Sequence, residues 1–367
     1  MAVDTYHPGK INNQYLEFLT ALPLAACFPF DAPYLKGLPT MRYELDATWP
    51  KELPEGWILG QLSGVCVDAE DRVYVMNRCD ITEEEAEIGV SAPPVLVFDA
   101  EGNLIDSWGD IDRLPIKPER IVADHEGNLW IPGQQDGLAQ KYDRNGNLLL
   151  EIGRRGQYDT TDGTLRGAGL NAGTVDLFQP AGIAVDPETG DVFIADGYGN
   201  RRVAVFDRNG KFLRQWGRQA TLEEAEAGVG GVFLEVVHAV DISSDGLVYV
   251  CDRQGDRIQA FDRQGNFSHN IWVRTGTAEL PDPRGSVWTL AFSPDVAQAH
   301  IFLMNGRNEQ VHVIERQSGR IVHTFGRPGH QAGAFTHGHT IAVDSKGRVY
   351  VSETHTGRRV QRFVPVA

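Results

Sequence analysis

Cysteine is scarce in this sequence, and the cysteines that it has do not form a motif. The chain has 367 residues and four cysteines, at Cys27, Cys66, Cys79 and Cys251. No pair has the CxxC spacing of a zinc knuckle, and the four are too scattered to indicate a disulfide framework. We therefore expect reduced thiols, most of them buried.

The sequence also lacks a net positive charge and long apolar segments. Lysine and arginine number 34 against 50 acidic residues, which gives a net charge of −16. Such a chain is repelled by nucleic-acid backbones and by anionic membranes. The first residues contain no basic segment leading into an apolar one, and the stretch ALPLAACF near residue 25 is too short to span a bilayer. The sequence thus predicts a soluble, cytoplasmic protein that binds neither nucleic acid nor membranes.

Glycine and proline are abundant, at 40 and 19 residues, and they punctuate a repeated pattern. Each copy has an apolar run ending near an aspartate, a glycine-containing turn, and a run of β-branched or aromatic residues. Six copies begin near residues 65, 121, 183, 240, 290 and 341. Their spacing fits a four-stranded blade with its loops. The sequence therefore predicts an all-β fold, a six-bladed β-propeller of four-stranded antiparallel blades.

The last copy stops after its third strand, so the ring needs a strand from elsewhere. The segment MRYELDATWP, which begins at Met41, can supply it. Closing the ring in this way removes the exposed sheet edges. We therefore assign residues 1–45 to an N-terminal extension that packs on the propeller and supplies the closing strand, and residues 46–367 to the propeller.

The repeat also identifies one equivalent position per blade at the mouth of the central channel. Counting five residues back from the aspartate-like position that ends the first strand gives Ser63, Glu119, Ala181, His238, Trp288 and His339. The metal-capable members, Glu119, His238 and His339, lie in blades two, four and six. Two histidines and a carboxylate converging in this way would suit a divalent metal such as zinc or iron. The alternative is that they are hydrated polar residues lining the channel.

The loop after the second strand of each blade is expected on the same face as this candidate metal site. It carries Arg78, Tyr198, Arg253 and His355 in blades one, three, four and six. Arginines in DRQGDR-type segments also form salt bridges between blades, and a tyrosine after a turn is commonly a packing residue. Both interpretations stay open from the residues alone.

The third copy, IAVDPETGDVFIADGYGNRRVAVFDRNGKFLRQWG, resembles an NHL repeat, and in particular those of the peptidyl-α-hydroxyglycine α-amidating lyases. The resemblance implies zinc at the positions of Glu119, His238 and His339, where the family has three histidines. It implies that Tyr198 is a general base and that Arg78 and Arg253 bind the substrate's carbonyl or carboxylate. Tyrosine can serve as a base only if the metal and the arginines lower its pKa by a few units.

The implied reaction is metal-dependent cleavage of the C–N bond of an α-hydroxyglycine-like carbinolamide, or of a related small α-hydroxy compound. A carbinolamide would give an amide and an α-oxo acid. His337 replaces the family's methionine beside the substrate, so we assign His337 and His355 to binding a small or peptide-like substrate. Thr340 replaces an aspartate that the family associates with structural calcium, so we do not expect a calcium site here. Gly199 replaces a cysteine that forms a disulfide in the family.

Two other functions fit the same repeat. One is a gluconolactonase-like, metal-dependent propeller hydrolase or isomerase, against which the two histidines count because such a site would be rich in carboxylates. The other is a non-catalytic NHL scaffold that binds a protein or ligand on its top face. Fold alone does not decide between them.

Overall fold

The structure is a computed structural model, and it describes residues 42–273 and 284–366. Within these ranges the strands form six four-stranded sheets and one short two-stranded pair. All neighbouring strands of the six sheets are antiparallel, and each sheet is one blade. The predicted six-bladed, all-β propeller is confirmed.

Blades one to three follow one another along the chain. Their strands, from first to last in each blade, are β3 (Leu62–Val67), β4 (Val73–Asn77), β6 (Val95–Phe98) and β7 (Leu104–Trp108); β8 (Val122–Ala123), β9 (Leu129–Gly133), β10 (Leu138–Tyr142) and β11 (Leu148–Gly153); and β12 (Pro180–Val185), β13 (Val192–Asp196), β14 (Arg202–Phe206) and β15 (Phe212–Trp216).

Blades four to six continue in the same order. Their strands are β16 (Val237–Ile242), β17 (Val248–Asp252), β18 (Arg257–Phe261) and β19 (Phe267–Trp272); β20 (Thr289–Phe292), β21 (His300–Asn305), β22 (Gln310–Glu315) and β23 (Arg320–Phe325); and β24 (Gly338–Val343), β25 (Val349–Glu353), β26 (Val360–Val366) and, as the fourth strand, β1 (Arg42–Leu45). The short parallel pair joins β2 (Trp57–Ile58) to β5 (Val90–Ser91).

The ring is closed by the N-terminal strand. β1 pairs antiparallel with β26, with Leu45 opposite Phe363. Immediately after β1, Asp46 accepts hydrogen bonds from Nε and Nη2 of Arg362, at 3.1 and 2.5 Å. The predicted source of the closing strand is therefore confirmed. The remainder of the predicted extension, residues 1–41, lies outside the described residues, and the boundary at residue 45 stays a prediction.

The burial of the strands explains their composition. Every residue of β13 is buried, whereas β15 at the outer edge of the same blade is half-buried or exposed. Inner strands are covered by the neighbouring blades on both faces, which favours continuous apolar runs such as VFIAD. One core cluster joins Phe193 and Val205 of blade three to Val240 and Val250 of blade four. The core thus lies between the blades.

In blades one to four, the turn between the third and fourth strands is built by an aspartate and a glycine. In blade three, Asp207 accepts hydrogen bonds from the backbone N–H groups of Asn209 and Lys211, both at 2.9 Å. Gly210 has φ of 81°, a conformation that glycine adopts at little cost. The DRQG turn of blade four is built in the same way, from Asp262 and Gly265.

Two short helices lie in the loops. They are α1 (Glu83–Ala86) and α2 (Leu222–Glu226), and each begins with a capping box. No helix within residues 42–273 and 284–366 is long and apolar enough to cross a membrane. Cys66 and Cys251 are buried free thiols and Cys79 is half-buried, as expected, whereas Cys27 lies outside the described residues.

Candidate active site

A β-bulge marks the equivalent channel position in four blades. The pairing of the first two strands shifts at Ser63, Ala181, His238 and His339, each of which lacks a partner across the ladder. A bulge re-aims the side chain of its extra residue, and bulges are common beside active sites. In blades two and five the corresponding Glu119 and Trp288 lie just before the first strand.

The three metal-capable side chains come together at this level. Glu119, His238 and His339 are each at most 4% exposed, and one ligand atom from each lies within 4.8 Å of the others. Nε2 of His339 is 3.4 Å from Oε2 of Glu119, and the two imidazole centroids are 5.4 Å apart. The structure therefore brings together residues that are separated by more than 200 positions in the sequence.

Backbone carbonyl groups orient both histidines. Nδ1 of His238 is 2.8 Å from the carbonyl oxygen of Trp288, and Nδ1 of His339 is 2.7 Å from that of Ser63. A carbonyl can only accept, so each Nδ1 carries the hydrogen and Nε2 of a neutral ring keeps its lone pair. Burial and the nearby charge of Arg253 hold the pKa of His238 well below its usual value. This donor set fits a divalent metal.

Glu119 is held as a carboxylate. Nη2 of Arg78 is 2.8 Å from its Oε1, while Oε2 faces His339 and Tyr198. Burial alone would raise the pKa of Glu119, but its interaction with His339 and the charge of Arg78 lower it to about 2. One carboxylate oxygen is thus engaged by Arg78, and the other is directed toward the imidazole of His339 and the hydroxyl group of Tyr198.

Arg78 is extensively occupied by the protein itself. Besides Glu119, it donates from Nε to the carbonyl of Pro118 at 3.1 Å and from Nη1 to Oε1 of Gln61 at 3.2 Å. It therefore lies in the predicted site, but its contacts are those of a residue that positions Glu119. Its predicted role in binding substrate stays a prediction.

The hydroxyl group of Tyr198 lies among the charged and metal-capable groups. Its oxygen is 3.1 Å from Nε2 of His238, 3.3 Å from Oε2 of Glu119 and 3.4 Å from Nη1 of Arg253. Burial raises the pKa of Tyr198 above its usual value, and the charge of Glu119 raises it further, against the opposing effect of Arg253 and Arg78. The arginines alone therefore do not make Tyr198 a base.

Arg253 is a cation without a carboxylate partner among the described residues. Its guanidinium carbon lies 5.6 Å from the ring centroid of Tyr198 and 5.1 Å from that of Trp288. In the same DRQGDR segment, Arg257 forms the salt bridge instead, with Nε 2.9 Å from Oδ2 of Asp252. The structural interpretation of this motif therefore applies to Arg257, within one blade, and not to Arg253.

His337 and His355 form a stacked pair at the edge of the same cavity. Their ring centroids are 4.0 Å apart, with an angle of 27° between the planes. Burial and the charge of Arg284 lower the pKa of His337, and burial with the charges of His337 and Arg78 lowers that of His355. Both rings are expected to be neutral at neutral pH.

All eight predicted site residues are placed around one cavity. It has a volume of about 400 Å³, and all of them except the more deeply placed His238 line it directly. The other lining residues, which sequence reasoning missed as site residues, are Gln61, Lys117, Arg284, Trp288 and Thr354. Gln61 and Lys117 stand two positions before Ser63 and Glu119, as His337 does before His339. Comparing the blades at the position two residues earlier would have found Gln61 and Lys117.

Thr340 has a structural role between blades. Its Oγ1 accepts a hydrogen bond from the backbone N–H of Val65 at 2.9 Å and lies 2.7 Å from Oγ of Ser352. The hydroxyl therefore joins blade six to blade one. The expectation of no calcium site stays a prediction.

Comparisons with known proteins agree with this fold, and several of the relatives are named as enzymes. A family model described as NHL repeat matches residues 179–206. The chain is 27% identical to peptidyl-glycine alpha-amidating monooxygenase B of Xenopus laevis, over 88% of this chain and 35% of the relative. It is 28% identical to peptidyl-alpha-hydroxyglycine alpha-amidating lyase 2 of Drosophila melanogaster, over 86% of this chain and 73% of the relative.

A relative whose name states no activity matches equally well. Human NHL repeat-containing protein 3 is 28% identical, over 88% of this chain and 84% of the relative. A solved streptogramin B lyase structure has a TM-score of 0.55 at 13% identity and covers 89% of this chain and 98% of its own, which shows the fold alone. The chain is a six-bladed propeller with an NHL repeat at residues 179–206, and its resemblance to the amidating lyases is confirmed. It spans about a third of the length of the frog monooxygenase.

Proposed function

We propose that this propeller is a metal-dependent lyase that cleaves the C–N bond of an α-hydroxyglycine-like carbinolamide, or acts on a related small α-hydroxy compound. The observation that carries the proposal is the position of the Tyr198 hydroxyl group, within 3.4 Å of His238, Glu119 and Arg253. A proton acceptor, metal-capable groups and an anion-binding cation thus meet in one cavity. The amidating lyases among the relatives support this reaction class.

Glu119, His238 and His339 would hold the metal, through one carboxylate oxygen and two imidazole nitrogens. Zinc suits this set best, with iron as the second choice. The metal, when bound, supplies a Lewis acid that increases the acidity of hydroxyl groups near it. Glu119 brings one negative charge where the resembled family has a neutral histidine, so the net positive charge at the centre is lower.

The protein's own groups account for binding and proton transfer. Arg253 binds the substrate carboxylate, since its guanidinium group faces the cavity between two aromatic rings. Tyr198 would accept the proton of the α-hydroxyl group as the phenolate, which requires the charge of the bound metal to offset the effect of burial and of Glu119 on its pKa. The electron pair of that O–H bond then forms the C=O bond, and the C–N bond breaks. The departing nitrogen takes a proton and leaves as the amide, with Tyr198 as the nearest group able to return it.

Incubation of the zinc-loaded protein with N-acyl-α-hydroxyglycines tests this proposal, with glyoxylate and the amide as the expected products in equal amounts. Protein that holds its metal but releases no glyoxylate from any of these compounds would overturn it. The second candidate, a non-catalytic binding scaffold, would then be favoured. The observation that supports this candidate is the equal similarity to human NHL repeat-containing protein 3.

A further inference from the structure

The cavity has the opposite charge to the chain that forms it. The protein carries a net charge of −16, yet the permanently charged side chains lining the cavity are four cations and one anion. The cations are Arg78, Lys117, Arg253 and Arg284, and the anion is Glu119. A cleft lined by one sign of charge attracts ligands of the other sign. The cavity therefore favours an anionic molecule.

Two of the four cations have their charge compensated. Arg78 is paired with Glu119, and Nη2 of Arg284 is 2.8 Å from Oε1 of Glu309. Neither Lys117 nor Arg253 has a carboxylate oxygen within 4.0 Å among the described residues. Arg253 is half-buried beside Tyr198, whereas Lys117 is exposed. The two uncompensated cations therefore lie at different depths, and one anionic group of a ligand cannot be expected to satisfy both.

The backbone around Lys117 is held in an unusual conformation. Lys117, His337 and His355 have φ of 53°, 56° and 53°, in the left-handed region that residues other than glycine rarely adopt. All three line the cavity. Gln179, the equivalent residue of blade three, has φ of 59° without lining the cavity, so the repeat itself supplies this conformation, and blades two and six use it to place side chains at the cavity.

We propose that the substrate carries a second anionic group, on its acyl part, which is bound by Lys117 and the His337–His355 pair while Arg253 binds its α-carboxylate. The inference rests on the proposed function for the identity of the reacting end. The imidazoles supply N–H donors and Lys117 supplies the charge. The substrate class is thus a small N-acyl-α-hydroxyglycine with an acidic acyl end, a carboxylate or a phosphonate.

Four probes of similar length separate charge from size. They are N-succinyl-, N-(3-phosphonopropanoyl)-, N-butyryl- and N-(β-alanyl)-α-hydroxyglycine, with a carboxylate, a phosphonate, a methyl and an ammonium group at the acyl end. We expect kcat/KM about tenfold higher for at least one acidic probe than for the butyryl probe, a ratio equivalent to about 1.4 kcal/mol. The β-alanyl probe should be the poorest. The better of the two acidic probes identifies the second group.

Charge-reversal variants test whether the preference for acidic probes depends on Lys117. Lys117→Glu should reduce the acidic-to-butyryl ratio to about 1 or below. Lys346→Glu makes the same charge change at the other end of blade six, in the turn between β24 and β25, and should leave the ratio unchanged. Equal kcat/KM for all four probes, or an equal loss of the ratio in both variants, would overturn the inference.

Binding measurements with compounds that cannot be cleaved test the second anion site independently of the proposed lyase reaction. N-succinylglycine, N-(3-phosphonopropanoyl)glycine and N-butyrylglycine lack the α-hydroxyl group, and calorimetry measures their affinities without any turnover. Tighter binding of an acidic compound, lost in Lys117→Glu, would support the second anion site even if no α-hydroxyglycine were cleaved. Glyoxylate release without any acidic preference in binding would support the lyase and reject the second anion site.

Discussion

The phenolic oxygen of Tyr198 lies 3.1 Å from Nε2 of His238. Because Nδ1 of His238 is directed at the carbonyl of Trp288, Nε2 has the lone pair, and the single phenolic hydrogen of Tyr198 can be donated either to Nε2 or to Oε2 of Glu119 at 3.3 Å. The same lone pair is the one that a metal would use. A hydrogen bond from Tyr198 and a metal ion would therefore compete for the same nitrogen atom of His238, which ties the proposed base directly to the candidate metal site.

Removing either histidine should abolish metal binding. We expect about one zinc or iron ion per chain in the purified protein, and loss of it in His238→Ala and in His339→Ala, because two ligands hold a divalent ion much less tightly than three. Elemental analysis after exhaustive dialysis measures this. His125→Ala, in an exposed turn of blade two, is the control and should retain the ion. Metal-free wild-type protein that also fails to take up zinc would contradict the prediction.

Replacing Tyr198 by phenylalanine should separate metal binding from catalysis. Tyr198→Phe removes the proton acceptor but none of the three metal ligands, so kcat should fall by about a hundredfold or more while metal content stays the same. Tyr158→Phe is the matched control, because the Tyr158 hydroxyl donates to the carbonyl of Gln135 outside the cavity. Unchanged kcat in Tyr198→Phe would exclude Tyr198 as the base.

The buried ion pair of blade four should be essential for stability. Arg257 and Asp252 have fully buried side chains, and Arg257 also donates to the carbonyls of Val229 and Val232. Arg257→Ala leaves a buried carboxylate without its cation and should reduce the free energy of unfolding by about 3 kcal/mol or more. Arg218→Ala breaks a solvent-exposed pair with Glu224 and should cost far less. Denaturant unfolding measures both, and equal losses would contradict this explanation.

The contact that closes the ring should weaken in acid. Burial opposes ionisation of Asp46, but hydrogen bonds from Thr48 and Arg362 lower its pKa from 3.8 to about 2. A lowered carboxyl pKa contributes stability that is fully present above pH 4 and is lost as the pH falls toward 2. Because the pair is partly exposed, the contribution should be about 1 kcal/mol.

Asp46→Asn should therefore be less stable than the wild type at pH 5, and the difference should shrink progressively between pH 4 and pH 2. Urea unfolding at a series of pH values measures it. Asp106→Asn, on the exposed face of β7, is the control and should show no such pH-dependent difference. A difference that stays constant down to pH 2 would assign the effect of Asp46 to packing and not to its charge.

The sequence was sufficient to find the fold and most of the candidate site because the blades of the propeller share one repeated sequence pattern. Equivalent positions in equivalent blades point at one axis, so His238 and His339 could be placed together without any structure. Gln61 and Lys117 were missed because the comparison used only one position per blade. The role of Arg78 was less accessible, since its contacts with Glu119, Gln61 and Pro118 involve the loops, whose paths the repeat does not specify.

What the sequence determined by itself is the periodic part: six blades, the closing strand, and the ring of residues at the channel mouth. Backbone pairing and apolar alternation encode these features locally. Only the tertiary structure decided which arginine of DRQGDR faces the cavity, which nitrogen of His238 is free, and that Tyr198 has a raised pKa. These properties depend on burial and on charged residues of other blades. The sequence of one repeat does not specify which residues of another blade will surround it.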